Sequence, residues 1–321
     1  MIHARDLTRS FKAKTGTVEA VRGLSLDVVE GELVAFLGPN GAGKSTSVRM
    51  LTTLLPPSSG SAKVGGHDVV AEPAAVRRQI GYVGQGSGAG QYHKLRDELI
   101  TQGKAQRMTA AAAGKRADEL IGMLELTGLE TRTGTTLSGG QKRRLDVALG
   151  LMHSPKVLFL DEPSTGLDPH SRANLWEHII RLRKATGMTI FLTTHYLDEA
   201  DTMAERVLVM DGGRLIADDT PARLKADLAG DRITVSVGAS DVAAAAAMAQ
   251  QLPGARDVTV DGGAVAVTAR EGEALLPEFI RRLHEAGLAV ATAAVRRPTL
   301  DDVFLGLTGR SLRETATAVA A

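Results

Sequence analysis

An α/β fold, with functional groups at the carboxyl ends of buried strands, is the class this sequence predicts. Three observations carry the prediction. Continuous apolar runs at residues 33–37 and 157–160, and a third at residues 188–192 interrupted at Thr189, read as strands covered on both faces, as in a parallel sheet. Each run is followed by residues of chemical interest: Gly38, the pair Asp161-Glu162, and His195 after two threonines. Between the runs lie stretches rich in helix formers, chiefly residues 94–126 and 171–184.

The bulk numbers narrow the class further. At 321 residues the chain has room for two domains, and 43% hydrophobic with 23% charged residues is ordinary for a globular protein. A net charge of +1 gives no electrostatic footprint for nucleic acid. With no cysteine there are no disulfides or thiolate metal sites, in keeping with a reducing compartment. The first residues lack the apolar core of a signal peptide, and no stretch approaches the ~18 uninterrupted apolar residues of a membrane span. Work at a membrane would therefore require a partner.

Along the chain, residues 4–7, 18–21 and 24–29 read as strands, with Gly23 and Glu30-Gly31 as turns. Phe11 reads equally as a packing residue or as a ring for a purine face. The strand 33–37 runs into Gly38-Pro39-Asn40-Gly41-Ala42-Gly43-Lys44-Ser45-Thr46 and then a helical segment. Strand, glycine loop and helix make a phosphate cradle: glycines let backbone N–H groups approach an anion, and the helix N-terminus favours negative charge. Lys44 can reach the outer phosphates, and the Ser45 hydroxyl can ligate Mg²⁺. A nucleoside triphosphate is the expected ligand.

Pro56-Pro57 ends that helix, a short strand pair follows around residues 62–64 and 68–70, and the strand 80–83 ends at Gly84-Gln85. Residues 86–90 form a flexible loop by composition. Leu137-Ser138-Gly139-Gly140-Gln141 opens a basic helix, with Ser138 as N-cap and a second possible anion site. After strand 157–160, Asp161 is placed to hold Mg²⁺ and Glu162 to accept a proton from attacking water or to orient it. Ser164 to Pro169 makes a turn into the next helix. His195 ends a core strand level with the acids, unlike His67, His93, His153 and His170.

These residues together resemble the ATP-binding cassette family over roughly residues 3–225. The parts occur in the family's order: a Walker A loop at residues 38–46, a Q-loop glutamine at Gln85, a signature at residues 137–141, Walker B at residues 157–161 with Glu162, a D-loop at Leu167-Asp168 and a switch histidine at His195. The resemblance implies a P-loop NTPase cassette of mixed sheet core plus helical subdomain (about 86–150) in domain 1–228. ATP and Mg²⁺ are the implied cofactors, with Ser45, Gln85 and Asp161 on the metal. Glu162 and His195 are the implied catalytic residues. Phe11 falls at the adenine-stacking position. Ser138, Gly139, Gly140, Gln141 and Asp168 would meet the ATP of a second copy.

The remainder, residues 229–321, shows strand, helix, two strands about Asp261-Gly262-Gly263, helix and strand. That order predicts a small α+β ferredoxin-like accessory domain. The tail at residues 297–309, Arg-Pro-Thr-Leu-Asp-Asp-Val-Phe-Leu-Gly-Leu-Thr-Gly, is similar to that of daunorubicin-resistance ATPase subunits. The resemblance therefore implies a cassette homodimer at the cytoplasmic face of the membrane. It would hydrolyse ATP to drive efflux of a hydrophobic compound through a separate permease. An importer subunit or a non-transport cassette ATPase is the alternative. Residues 86–99 match only loosely the exporter stretch that meets the permease.

Overall fold

The computed structural model describes residues 1–13 and 16–309. Two compact units divide after Ile216, ahead of the expected boundary at 228. Residues 310–321 of the expected accessory domain lie outside the described residues.

In the first unit, β1 (Ile2–Ala13) and β2 (Gly16–Val28) form a long antiparallel hairpin. The separate strands expected at 18–21 and 24–29 are therefore one. Gly23 is not a turn: Leu7 pairs with Leu24 and Thr8 with Arg22, so Gly23, at φ 78°, is the extra residue of a bulge. The sheet continues through β4 (Ser59–Val64) and β5 (His67–Asp68), with Ile2 opposite Val64.

A six-stranded sheet carries the chemistry. Its members are β3 (Leu33–Leu37), β6 (Ile80–Val83), β7 (Val157–Asp161), β8 (Thr189–Thr194), β9 (Arg206–Asp211) and β10 (Arg214–Asp219), in the order β10-β9-β3-β8-β7-β6. The pairs β6/β7, β7/β8, β3/β8 and β3/β9 are parallel, and β10 returns beside β9 through Gly212-Gly213. Every residue of β3, β7 and β8 is buried, as continuous apolar strands require. Phe191 on β8 packs between Phe36 of β3 and Phe159 of β7, its ring centroid 5.6 Å from each of theirs. Register decides function here. Leu37 lies beside Thr194, and Asp161 beside Thr193, so the segments after β3, β7 and β8 emerge at one edge.

Helices fill the connections. They are α1 (Lys44–Leu51), α2 (Pro73–Gln79), α3 (Leu95–Ala105), α4 (Ala110–Met123), α5 (Gly139–Leu151), α6 (Pro169–Thr186) and α7 (Leu197–Met203). Their ends follow local chemistry. The Thr109 hydroxyl accepts from Ala112 N at 3.2 Å. Asp168 caps α6 ahead of Pro169, and Gly187 closes it in the left-handed conformation. Helices α3, α4 and α5 pack together.

The second unit contains α8 (Pro221–Leu224), a π turn at Lys225–Ala229, then β11 (Asp231–Val237), α9 (Val242–Gln250), β12 (Arg256–Asp261), β13 (Ala264–Ala269), α10 (Gly272–Glu285) and β14 (Val290–Arg296). Sheet order is β12-β13-β11-β14, antiparallel throughout, as a β-α-β-β-α-β module requires. Val235, Val265, Phe279 and Leu283 lie in its core. The final helix, α11 (Leu300–Thr308), has a Thr299–Asp302 capping box and packs on α8 and the π turn. That packing places residues 221–229 with this unit.

Candidate nucleotide site

The glycine loop after β3 is shaped by what surrounds it. Gly38 and Gly43 have φ of 159° and 106°, and a Cβ on them would lie 2.2 Å from Met210 O and 2.4 Å from Ala20 O. Only glycine fits at Gly43 in particular, where the loop turns into α1. Ala42 N donates to Pro39 O at 3.1 Å, and Gly213 N to Ala42 O at 3.0 Å, so the β9–β10 turn buttresses the loop. The result is a cleft of about 270 Å³ lined by residues 39–46, Ala20, Gln85 and Glu162.

Lys44 is 4% exposed and its Nζ donates to Gly38 O at 2.6 Å and Pro39 O at 3.1 Å. Burial pushes its pKa down, against the pull of Glu162 and Asp161. Ser45 Oγ donates to Asp161 Oδ1 at 3.0 Å, and the Gln85 amide lies 3.5 Å from Ser45 Oγ. Thr193 Oγ1 donates to the same Asp161 oxygen at 2.6 Å and fixes the carboxylate. A hydroxyl, one carboxylate and an amide fit a hard ion that completes its shell with water and phosphate, as Mg²⁺ does. No cluster of three acids or histidines competes for a metal among the described residues.

Glu162 holds a left-handed backbone, φ 48°, which is strained for a side chain of this size. Its N–H bonded to Thr193 (Oγ1 at 3.0 Å, O at 3.1 Å) holds it there. The carboxylate lies 3.7 Å from Lys44 Nζ and 3.2 Å from His195 Nδ1, the latter a close contact rather than an aligned hydrogen bond. Burial raises the Glu162 pKa, but His195 and Lys44 outweigh it, and the carboxyl is held below its ordinary value. Glu162, Lys44 and His195 thus meet beside the phosphate cleft, although they come from three different strand ends.

The signature stands apart. Ser138 Oγ accepts from Gln141 N at 3.3 Å while Gln141 Oε1 accepts from Ser138 N at 2.9 Å, a complete capping box. Its cleft of about 240 Å³ is lined by Ser138, Gly140, Gln141, Arg144, Ser171 and neighbours, and shares no residue with the first. Asp168 is used as the cap of α6, accepting from Ser171 N at 2.9 Å, and does not line the first cleft. Phe11 sits on β1, 38% exposed, with the Arg9 guanidinium 4.8 Å from its centroid, and does not line that cleft either.

Residues 21–165 match the family described as ABC transporter, and residues 220–308 match the ATP-binding protein DrrA1-3-like C-terminal domain. Daunorubicin resistance ATP-binding protein DrrA3 of Streptomyces coeruleorubidus is 44% identical over 94% of this chain and 95% of its own length. This chain belongs to the ABC transporter family. Daunorubicin/doxorubicin resistance ATP-binding protein DrrA of Streptomyces peucetius is 41% identical over 97% of this chain and 94% of its own. Linearmycin resistance ATP-binding protein LnrL of Bacillus subtilis is 33% identical over 98% of this chain and 100% of its own. Among solved structures, cbiO1 of Clostridium perfringens, part of an ABC transporter complex, is 28% identical, with TM-score 0.64 over 70% of this chain and 90% of that one. A dimeric ATP-binding cassette bound to ADP and Pi shares the fold at 24% identity, with TM-score 0.63 over 68% of this chain and 98% of that one. The expected fold and ATPase activity are those of this ABC cassette.

The sequence reading passed over Arg143. In a Lys142-Arg143-Arg144 run it reads as a solvated face, yet it is 6% exposed. Its guanidinium donates to Pro163 O at 2.5 Å and Gly84 O at 2.7 Å. One side chain from the signature helix thereby joins the segments that carry Gln85 and Glu162. Its helical spacing from the signature, onto the buried face of α5 with Val147, was the available signal.

Proposed function

We propose that two copies of this ABC ATPase close on ATP, the loop 38–46 of one and the signature 137–141 of the other facing the same triphosphate. The single observation that carries this is the separation of the two clefts within one chain, each an anion-favouring helix start without the other's partners. In the closed pair, Lys44 and the loop amides neutralise the phosphates. Glu162 takes the proton of the attacking water, and His195 contacts the γ-phosphate. Ser45, Asp161 and Gln85 would hold Mg²⁺, which would supply Lewis-acid stabilisation of the transferring phosphoryl group. Phe11 stacks on the adenine, and Asp168 and Ser138 meet the nucleotide of the partner.

Hydrolysis reopens the pair, and that motion drives efflux of a hydrophobic, drug-like compound through a separate permease. The full-length similarity to resistance subunits supports this reading. So does the absence, among the described residues, of any helix long and apolar enough to cross a membrane. A third groove supports the permease contact. It measures about 460 Å³ and is lined by Leu54, Ile80, Tyr82, Val83 and Leu149, with Gly84 and Gly86 flanking Gln85. A permease segment in it would press on the Q-loop. In this reading the ATPase works as a peripheral subunit on the cytoplasmic face. Purification from detergent-solubilised membranes tests the assembly: the chain brings down a polytopic membrane protein and shows drug-stimulated phosphate release. Recovery of the chain without any membrane protein overturns the permease reading.

A further inference from the structure

His195 must hold its ring against the reaction centre, yet its buried Nδ1, 3.2 Å from Glu162 Oε2, makes no hydrogen bond among the described residues. Its support comes from behind. The Tyr196 ring packs on it, with centroids 4.2 Å apart and planes 36° apart. On the Tyr196 ring sits the guanidinium of Arg172, its Cζ 4.0 Å from the centroid. Arg172 belongs to the first turn of α6, where its N–H donates to Asp168 O at 3.0 Å. Its Nε is buried and makes no hydrogen bond, although Glu199 Oε1 is 3.8 Å away. The guanidinium therefore forgoes hydrogen bonding there and keeps the ring face, an arrangement a cation–π contact favours.

Glu199 closes the frame. It is 4% exposed and accepts from Thr194 Oγ1 at 2.9 Å and from Ser164 Oγ. Thr194 precedes the histidine and Ser164 follows the Glu162-Pro163 turn, so one carboxylate ties both catalytic segments together. Arg172 adds a third segment, the start of α6.

We propose that Arg172 is a positioning residue that acts on His195 through the face of Tyr196. The stack Arg172–Tyr196–His195 couples the imidazole to the segment at residues 164–168, so a second copy pressing on that segment sets the histidine's place. This rests on the reading of His195 as a γ-phosphate contact. A displaced imidazole lowers turnover rather than ATP affinity, because positioning acts on the reacting geometry.

Steady-state phosphate release by the full chain with ATP and Mg²⁺ tests it. Arg172→Ala and Tyr196→Leu are each expected to lower kcat on the order of tenfold, with KM within about twofold. The double variant falls no further than either single one, since both break the same link. Arg172→Lys and Tyr196→Phe, which keep a cation and a ring, recover most of the loss; they also decide the matter if Arg172→Ala fails to fold by circular dichroism. Adding Glu199→Gln to Arg172→Ala leaves the deficit, whereas rescue would mean that Arg172 only balances a buried charge and overturns the relay. So would wild-type turnover in Arg172→Ala, or losses that multiply in the double variant, while His195→Ala is inactive. Full turnover in His195→Ala would overturn the reading beneath it instead.

Discussion

Gly38 and Gly43 in the first loop of this cassette and Gly139 in the second are there for opposite reasons, while Gly140 beside it is hemmed in by Ser171, whose Oγ would lie 2.8 Å from an added Cβ. Gly38 and Gly43 are demanded by the chain itself: added Cβ atoms would lie 2.2 Å from Met210 O and 2.4 Å from Ala20 O. Gly139, in the signature, is not. A Cβ there would meet only Leu167 Cδ2, at an ordinary 3.8 Å. The first loop is held by β2, β9 and the Gly212-Gly213 turn, and its own lysine is tied back to Gly38 O and Pro39 O. The second is a well-capped helix start facing solvent. A position that the fold leaves free but that carries no side chain is one whose constraint lies outside the chain, which is what a shared nucleotide would impose.

The comparison can be broken or sharpened by substitution. The largest effect is expected of Glu162→Gln, which keeps both loops intact and removes the base. Phosphate release falls about 10²- to 10⁴-fold, while size-exclusion chromatography shows an ATP-stabilised dimer. Normal turnover would take Glu162 out of its role, and a variant that binds ATP yet stays monomeric would separate the two loops for good.

Gly43→Ala should cost both binding and stability. The clash with Ala20 O and the left-handed backbone together remove about 3 kcal/mol or more, read as a lower denaturation midpoint, and equilibrium nucleotide binding is lost. Gly139→Ala is the counterpart: stability stays within about 0.5 kcal/mol and ATP still binds the isolated chain, but turnover drops about 100-fold. Equal destabilisation by the two would erase the distinction.

Ser138→Ala removes half of the capping box and costs about 1 kcal/mol of stability, measured by urea unfolding. The smallest effect concerns pH. The Glu162 carboxyl is held below its ordinary pKa, so its stabilising contribution is complete above the ordinary glutamate range. That contribution disappears as pH falls through the lowered folded value. Midpoints measured from neutral to acid should therefore fall less steeply for Glu162→Gln than for the parent chain.

Much of this was readable in one dimension. Continuous apolar runs bury β3, β7 and β8 because a strand with no polar face cannot sit at a surface. A cap residue places Ser138, because a hydroxyl beside the first helical N–H groups acts locally. The β-α-β-β-α-β order of the second unit was likewise a matter of local pattern. Gly23 misled, because a glycine marks a positive φ equally well in a turn and in a bulge, and only the pairing with β1 distinguishes them. Helix α2, seven residues with Pro73 at its start, gave too short a period to read.

The sequence by itself determined the core strands β3, β7 and β8, the capped start of α5 and the identity of each chemical group, since these depend on neighbours a few residues away. Tertiary structure decided which groups meet. The parallel register of β3, β7 and β8 brings Lys44, Glu162 and His195 together from positions far apart in the chain. A single helical face turns Arg143 inward between Gly84 and Pro163, and the packing of α6 lays Arg172 over Tyr196. Side-chain convergence depends on register and packing between distant segments, and no local spacing encodes it.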